Sequence, residues 1–272
     1  MPSPNAISPE KLARLIGTPA CPAVVDVGSD PGLCIPGSVR RRAEDAGRWA
    51  AGLAGRSAVV VCARGAQLSA GAAAWLRHEG VDAEILEGGI AAWRDAGLPL
   101  LAEGRLPPRD SSGRTLWVTR ARPKVDRIAC PWLIRRFVDP EAVFLFVAPA
   151  EVAAVGERFG AAAFDLEGAY WSHRGELCTF DVMVDELGLG GFPGLARLAQ
   201  IVRGADTARP ELAPQAAGLL AASLGLSRMF ADDLEQLNAG MLLYDAFYRW
   251  CRDAVDETHD WVSHMPKKRG RS

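Results

Sequence analysis

Short apolar runs alternate with amphipathic stretches through the first hundred residues of the chain. The runs 23–27 (AVVDV) and 58–62 (AVVVC) are compact and rich in valine, which is typical of parallel strands buried on both faces. A third strand is predicted at 83–86. Helices are predicted from Pro9 onwards, around Trp49, at 69–78 and at 90–96. Strands that alternate with helices predict an α/β fold with a doubly wound parallel sheet.

A second part of the chain follows a stretch that concentrates proline, glycine, serine and charge without apolar periodicity, which indicates a linker. Beyond it, strands are predicted at 116–119 and 143–147. The longest predicted helix, 232–253, carries apolar residues at three- and four-residue steps. The pattern predicts a mostly helical α+β domain. The predicted division is a first domain at 1–101, a linker at 102–115, a second domain at 116–262 and a basic tail at 263–272.

The composition is that of a soluble globular protein, with 49% hydrophobic and 24% charged residues among 272 and a net charge of -2. No apolar run approaches the roughly 18 residues of a membrane span, and the first residues lack the pattern of a signal peptide. We therefore expect a cytoplasmic protein without membrane contact. Basic runs at 40–42 and in the tail are short, and no helix-turn-helix pattern is visible, so nucleic acid is not an expected partner.

Cys62 comes directly after a buried strand and directly before a helix, which places its thiol at the carboxyl edge of the sheet. Backbone amides of the intervening loop can form an anion-binding nest, and the positive end of the helix would lower the pKa of the thiol. The alternative is a buried cysteine that acts as a small hydrophobic residue. The six cysteines include no CxxC pair, so free thiols are expected. The predicted anion-binding loop consists of Ala63, Arg64, Gly65, Ala66, Gln67 and Leu68.

Further motifs surround this loop. The sequence from Val59 reads VVVCARGAQLSAGAAAWLRHEGVDAEILEGGIAAWRDAGLPL, Asp26 ends the first strand, and Ile35-Pro36-Gly37 follows it. Together these features resemble the rhodanese family over about residues 8–101. The resemblance implies a sulfurtransferase in which Cys62 accepts sulfane sulfur as a persulfide and passes it to a thiophilic acceptor. It also implies a small-molecule sulfur donor and a thiol acceptor as partners, with no cofactor required.

Three departures from the rhodanese pattern bear on the donor. Gln67 and Leu68 stand where the family often has Arg-Ser, Gly28 stands where an arginine is common, and Cys34 stands where a histidine often precedes Ile-Pro-Gly. These differences leave the nucleophile in place, but they favour a specialised sulfurtransferase over an ordinary thiosulfate rhodanese. Phosphatase-like relatives on this scaffold hold their anion with a loop arginine, which Gln67 replaces, and this argues against an oxyanion reductase.

The second domain opens with a dense group of charged residues, which fits either a solvated face or an oxyanion pocket. The candidates are Arg120, Lys124, Asp126, Arg127 and Cys130. Four segments resemble the C-terminal domain of ChrB-type chromate-resistance proteins: TRARPKVDRIACPWLIRRFVDPEAVFLFV, SHRGELCTFDVMVDELGL, IVRGADTARPELAPQAAGLLAASLGLSRMF and LYDAFYRWCRDA. The resemblance runs over about residues 117–261. It implies a role in chromate resistance without a defined mechanism.

A metal site in the second domain is a further hypothesis. His173, Cys178 and Asp181 lie within nine residues, and these side-chain types are common metal ligands. Residues from other elements could converge on them, namely Asp126, Cys130, Asp206 and Asp245. The alternative is that they are structural, with Asp245 expected to pair with Arg249 one turn along its helix. His259 is an equally open candidate.

Three functions fit these patterns. The favoured one is a rhodanese-type sulfurtransferase linked to chromate resistance, which acts on sulfur compounds, on chromate or on chromium–thiol adducts. Chromate is a sulfate-like oxyanion that consumes cellular thiols, so joining persulfide chemistry to an oxyanion-handling domain is chemically coherent. The second is a chromate-responsive regulator in which the rhodanese fold senses redox state. The third is an inert rhodanese fold that serves as a binding module.

Overall fold

The computed structural model describes residues 5–28 and 32–258. The predicted basic tail and His259 lie outside these residues. The strands of the first part are β1 (Ala6–Ile7), β2 (Ala23–Asp26), β3 (Leu33–Cys34), β4 (Ser38–Arg40), β5 (Ala58–Val61), β6 (Ala83–Leu86) and β7 (Leu101–Ala102). Its helices are α1 (Pro9–Ala13), α2 (Ala46–Trp49), α3 (Gln67–His78) and α4 (Gly89–Asp95).

A five-stranded parallel sheet organises this part, in the order β1-β6-β5-β2-β4, while β3 pairs antiparallel with β7. β5 lies at the centre, where Val60 pairs with Val25 on β2 and with Ile85 on β6. All four residues of β5 are buried, as its unbroken apolar sequence predicts. The predicted α/β class with a parallel sheet is confirmed.

Alternate side chains of the sheet pack into two separate layers. Val25 and Val60 pack with Leu76 of α3. On the other face, Val59 packs in one layer with Trp93 of α4. Helices cover both faces of the sheet, so a ligand is expected to reach it at the carboxyl edge, through the loops between strand and helix.

The second part combines a small sheet with a helical body. Its strands are β8 (Leu116–Arg120), β9 (Val143–Val147) and β10 (Ala162–Ala163), all parallel in the order β10-β8-β9. The helices are α5 (Asp126–Leu133), α6 (Val152–Phe159), α7 (Thr179–Glu186), α8 (Pro193–Asp206), α9 (Ala216–Met229) and α10 (Asp233–Asp253). α5 continues into one π-helical turn at Ile134–Val138. The predicted mostly helical α+β class is confirmed.

The long helix α10 corrects one predicted ion pair. Asp245 is buried and accepts hydrogen bonds from Trp132 Nε1 at 2.8 Å and from Arg136 Nε and Nη2 at 2.8 and 2.7 Å. Arg249 pairs instead with Asp253 at 2.8 Å. The predicted pairing of Asp245 with Arg249 is wrong, because Asp245 faces the core beside α5 and not the solvent.

The two parts of the chain pack against each other. Gly37 N–H donates to the Phe137 carbonyl at 2.7 Å, and Arg41 pairs with Glu141 at 3.1 Å. Buried side chains of both parts belong to one continuous core, so the domain and linker boundaries stay a prediction. Within the described residues, no helix has the length and apolar character needed to span a membrane.

Candidate functional site

The thiol of Cys62 sits just beyond β5, under a loop that is itself exposed. Cys62 is 5% exposed. Its sulfur accepts a hydrogen bond from Ala66 N–H at 3.3 Å and lies 3.1 Å from the Ser69 hydroxyl oxygen. The Ser69 hydroxyl oxygen also lies 3.1 Å from the Ala66 carbonyl oxygen, which is the other acceptor within reach of its single proton. The loop residues Ala63, Arg64, Ala66, Gln67 and Leu68 are exposed and Gly65 is half-buried. The loop therefore surrounds one sulfur atom with donors while its outer surface faces solvent.

Two glycines let the loop close against the start of α4. Gly65 has φ +64°, and a Cβ there would lie 2.5 Å from the Leu86 carbonyl oxygen and 2.9 Å from the amide nitrogen of Gly88. Gly89 has φ +63°, and a Cβ there would overlap the Cys62 carbonyl oxygen. The contact is fixed by Ile90 N–H, which donates to that carbonyl at 3.0 Å. Only glycine permits so close an approach of two backbones.

The loop lowers the pKa of Cys62. Burial alone would raise the pKa of this thiol, but hydrogen bonds from the Ser69 hydroxyl and from the amides of Ser69, Ala66 and Arg64 together outweigh it. The amides of Ala66 and Ser69 belong to the start of α3. The N-cap residue of that helix, Ala66, has no side chain that could accept hydrogen bonds from the first amides. Burial instead raises the pKa of Cys34 and of Cys251 to about 11 each. Cys62 therefore has the surroundings of a reactive thiol, and those two have the surroundings of structural ones.

A Ser69→Ala variant is expected to raise the pKa of Cys62. The thiolate reacts with alkylating agents, and its fraction rises as pH rises through the pKa, so losing a hydrogen bond to sulfur moves the reactivity profile to higher pH. Alkylation of Cys62 by iodoacetamide at pH 7 should slow by up to about tenfold, the change in thiolate fraction for one pKa unit. Rates from pH 5 to 10 measure the shift.

Ser57→Ala, at the opposite end of β5, is the matched control and should retain the wild-type profile. Equal profiles for the Ser69 variant and the wild type would show that the hydroxyl does not tune the thiol.

Two of the departures from the rhodanese pattern, Gly28 and Leu68, lie next to each other in the structure. Leu68 lies over Gly28, since a Cβ on Gly28 would be 2.9 Å from Leu68 Cδ1. Gly28 N–H donates to Asp26 Oδ1 at 3.0 Å, and Arg40 pairs with Asp26 Oδ2 at 3.3 Å. A side chain at position 28 would therefore require the exposed Leu68 side chain to move aside.

A second cluster of polar side chains is built in the other part of the chain. Asp126 begins α5, Asp206 ends α8, and both Asp165 and His173 lie between β10 and α7. His173 Nε2 is 3.2 Å from Asp206 Oδ2, 3.4 Å from Asp165 Oδ1 and 3.5 Å from Asp126 Oδ2. Three carboxylates from three segments thus converge on one imidazole nitrogen. We call these four residues the carboxylate–histidine cluster.

Neighbouring groups hold the cluster in place. Arg120 Nη2 and Arg127 Nε lie 3.0 and 3.2 Å from Asp165 Oδ2. Thr179 N–H donates to Asp126 Oδ2 at 2.6 Å, and Asp126 N–H donates to Asp206 Oδ1 at 3.3 Å. Burial, together with the charges of Asp206 and Asp165, raises the pKa of Asp126 well above its usual value. The carboxylates are therefore positioned by backbone amides and arginines, at a cost in mutual repulsion.

Comparison with known proteins identifies the part of the chain that holds this cluster. Residues 117–251 match the family model described as ChrB, C-terminal domain. This part of the chain is similar to the ChrB C-terminal domain. Protein ChrB of Cupriavidus metallidurans is 35% identical over 155 residues, which cover 56% of this chain and 46% of that protein. The chain thus spans about half the length of this curated relative.

Solved structures resemble about a third of the chain. A rhodanese-related protein from Thermoplasma volcanium is 27% identical and covers 36% of this chain and 99% of its own, with a TM-score of 0.32. A protein of unknown function from Rhodopseudomonas palustris, titled a possible tyrosine phosphatase, is 24% identical and covers 35% and 83%, with a TM-score of 0.30. With TM-scores below 0.5, these likenesses do not identify an activity.

Within residues 117–251, the predicted basic group is divided between two places. Arg120 and Arg127 face Asp165 in the cluster. Lys124 is exposed and lines a separate cavity of about 530 Å³ with Arg122 and Arg228. The predicted oxyanion pocket does not form as one site, because the chain turns sharply between Arg122 and Val125, both of which have positive φ.

The predicted metal triple is also rearranged. His173 joins the cluster, whereas Asp181 accepts a hydrogen bond from Cys178 N–H at 3.1 Å and lies 3.7 Å from Arg203. Cys178 and Cys130 are buried, and burial raises the pKa of both thiols. Asp181 thus caps the N-terminus of α7. Cys130 and Cys178 have the surroundings of protonated, structural thiols. The residues that could hold a metal ion are Asp126, His173 and Asp206.

Sequence reasoning missed Asp165. It has φ +50° in the loop after β10, a conformation that aspartate tolerates better than most residues. Its bonds to Arg120 and Thr179 span 45 and 14 residues. No short spacing in the sequence signals such a contact.

Proposed function

We propose that the chain is a sulfurtransferase in which Cys62 carries sulfur as a persulfide, in a setting of chromate resistance. The observation that carries this proposal is the convergence of donors from Ala66 and Ser69 on the Cys62 sulfur. A terminal persulfide is anionic at neutral pH, and donors that favour the thiolate favour the persulfide in the same way.

The reaction balances without an external oxidant or reductant. With thiosulfate as donor, the Cys62 thiolate attacks the sulfane sulfur, a new S–S bond forms at Sγ, and sulfite leaves with the electron pair of the old S–S bond. A thiophilic acceptor then attacks the outer sulfur of the persulfide. The second S–S bond breaks, the acceptor keeps the sulfur atom, and the Cys62 thiolate is regenerated.

The surroundings of the loop bear on the donor. Arg64 is exposed on the loop, where its charge is available to an anionic donor. Leu68 gives the opposite side an apolar edge beside Gly28. An apolar edge favours a donor that brings carbon atoms to the site, such as the hydropersulfide of a small thiol, over inorganic thiosulfate.

The similarity to the ChrB C-terminal domain supports the chromate setting. Chromate is reduced at the expense of cellular thiols, so oxidised sulfur and chromium–thiol adducts accumulate together. A persulfide carrier in the same chain is chemically suited to act on those sulfur species. A redox sensor that forms the same adduct without turning over is the competing function.

Mass spectrometry after incubation with thiosulfate tests the proposal. The wild-type chain should gain one sulfur atom, about 32 Da, on the peptide that contains Cys62, and dithiothreitol should remove it. Cys21→Ser removes a half-buried thiol elsewhere and should leave the adduct intact, while Cys62→Ser should show none. A wild-type protein that acquires no adduct from thiosulfate or from glutathione hydropersulfide would contradict the proposal, and an adduct that no acceptor discharges would favour the sensor.

A further inference from the structure

The carboxylate–histidine cluster contains a buried oxygen that nothing in the described chain satisfies. Asp126 is 0% exposed, and its Oδ1 atom has no hydrogen-bond partner, whereas Oδ2 accepts from Thr179 N–H. A side-chain hydrogen bond from Cys178 to the carboxyl group opposes the effect of burial on the pKa of Asp126, and Oδ1 is left without a partner among the described residues. A buried carboxylate oxygen without a partner is costly, because it has lost its hydration without compensation. Such an atom calls for a ligand.

The charges point to a cation. Asp165 is balanced by Arg120 and Arg127, which both lie against its Oδ2 atom. Asp126 and Asp206 make their ion-pair contacts with His173 Nε2. One imidazole nitrogen carries at most one proton, so it cannot donate to both carboxylates at once. Three aspartates against two arginines leave one negative charge, which a bound cation or a protonated His173 would neutralise.

We propose that Asp126, His173 and Asp206 bind one divalent first-row transition-metal ion. One ligand atom from each of the three lies within 4.8 Å of the others, which is the spacing of atoms that share one ion. Two carboxylate oxygens and one imidazole nitrogen suit Mn²⁺, Fe²⁺ or Zn²⁺.

The surroundings of the three ligands are those of a prepared site. Thr179 N–H orients Asp126, and Asp126 N–H orients Asp206. Asp165 is held by two arginines at Oδ2 and by the Thr179 hydroxyl at Oδ1, and its Oδ1 atom lies 3.4 Å from His173 Nε2. Such outer contacts fix ligand orientation in metal sites. Val125, directly before Asp126, has φ +39°, which is strained for a β-branched residue.

Metal titration of the full-length chain tests the inference. After treatment with a chelator, isothermal titration with MnCl₂ and ZnCl₂ should show one ion per chain, and either ion should raise the thermal midpoint. A parallel titration with MgCl₂ measures how much binding any divalent cation shows through charge alone. His173→Ala and Asp206→Asn should each weaken binding by at least about 100-fold, since each removes a direct ligand. Asp181→Asn, an acidic residue near the cluster that pairs with Arg203, should bind as the wild type does.

The His173→Ala variant is expected to fold like the wild type. The His173 side chain is 39% exposed, so His173→Ala should keep the wild-type circular dichroism, and its electron paramagnetic resonance with Mn²⁺ should be that of the free ion. A chelated wild type that binds neither Mn²⁺ nor Zn²⁺ above the Mg²⁺ background would overturn the proposal. Equal binding by the wild type and His173→Ala would also overturn it. Neither result depends on the activity of Cys62.

Discussion

Replacement of Cys62 by serine is expected to lower the rate of sulfur transfer from thiosulfate to cyanide on the order of 10³-fold or more, as the loss of a covalent nucleophile does. The serine hydroxyl would stay protonated at this position, because the hydrogen bonds that lower the pKa of the Cys62 thiol are not enough to ionise an alcohol. Serine also has no sulfur to extend into a persulfide. Thiocyanate formation under saturating donor measures the loss.

The control for that experiment is the same substitution at Cys21, a cysteine outside the Cys62 loop. Cys21 is half-buried, and it lines the cavity between the two parts of the chain instead of the Cys62 loop. Cys21→Ser should therefore retain the wild-type rate. A Cys62→Ser protein that is folded and keeps more than a tenth of the wild-type rate would place the chemistry on another thiol.

The position of Cys62 was predictable because its determinants are contiguous. A buried strand, a small-residue loop and a helix follow one another from Ala58 to His78, and local sequence decides each of them. The contact of Gly65 with Gly88 and Gly89 was not predictable in the same way, because those residues come after another helix and strand. The sequence contains these glycines, but only the fold shows that the backbone of the Cys62 loop contacts the backbone at the start of α4.

The carboxylate–histidine cluster was harder to predict for the same reason. Its members Asp126, Asp165, His173 and Asp206 come from separate segments that meet only when α5, α7 and α8 pack. Short spacing drew attention to His173, Cys178 and Asp181, but Asp181 is used at the start of α7. Short spacing in the sequence therefore identified His173 correctly. It also suggested Cys178 and Asp181, which have structural roles.

The two proposed sites divide the chemistry between the two parts of the chain. The Cys62 loop is built to stabilise negative charge on sulfur, with backbone and hydroxyl donors directed at one atom. The carboxylate–histidine cluster is built to stabilise positive charge, with acceptors directed at one point. An anion carrier and a cation site have opposite electrostatic requirements, so separate places in the fold suit them. Each can then be tested by variants that leave the other unchanged.

Replacement of Gly89 by alanine is expected to lower the free energy of unfolding by about 2–4 kcal/mol, the cost of a left-handed conformation plus overpacking. The new Cβ would overlap the Cys62 carbonyl oxygen and would lie 2.8 Å from Arg64 N. These are backbone atoms, so the clash is relieved only by moving the Cys62 loop away from α4. Urea unfolding measures the stability, and iodoacetamide alkylation at pH 7 measures the thiol.

Alkylation of the folded Gly89→Ala protein should be slower than that of the wild type by more than about tenfold, because a displaced loop no longer directs its amides at the sulfur. Gly71→Ala provides the matched control. Gly71 lies inside α3 with no atom within 4 Å of a Cβ built there, so alanine should leave the thiol unchanged and stabilise the helix by about 0.5–1 kcal/mol. If Gly89→Ala and Gly71→Ala had the same stability and the same alkylation rate, the close approach of α4 to the loop would not control the reactivity of Cys62.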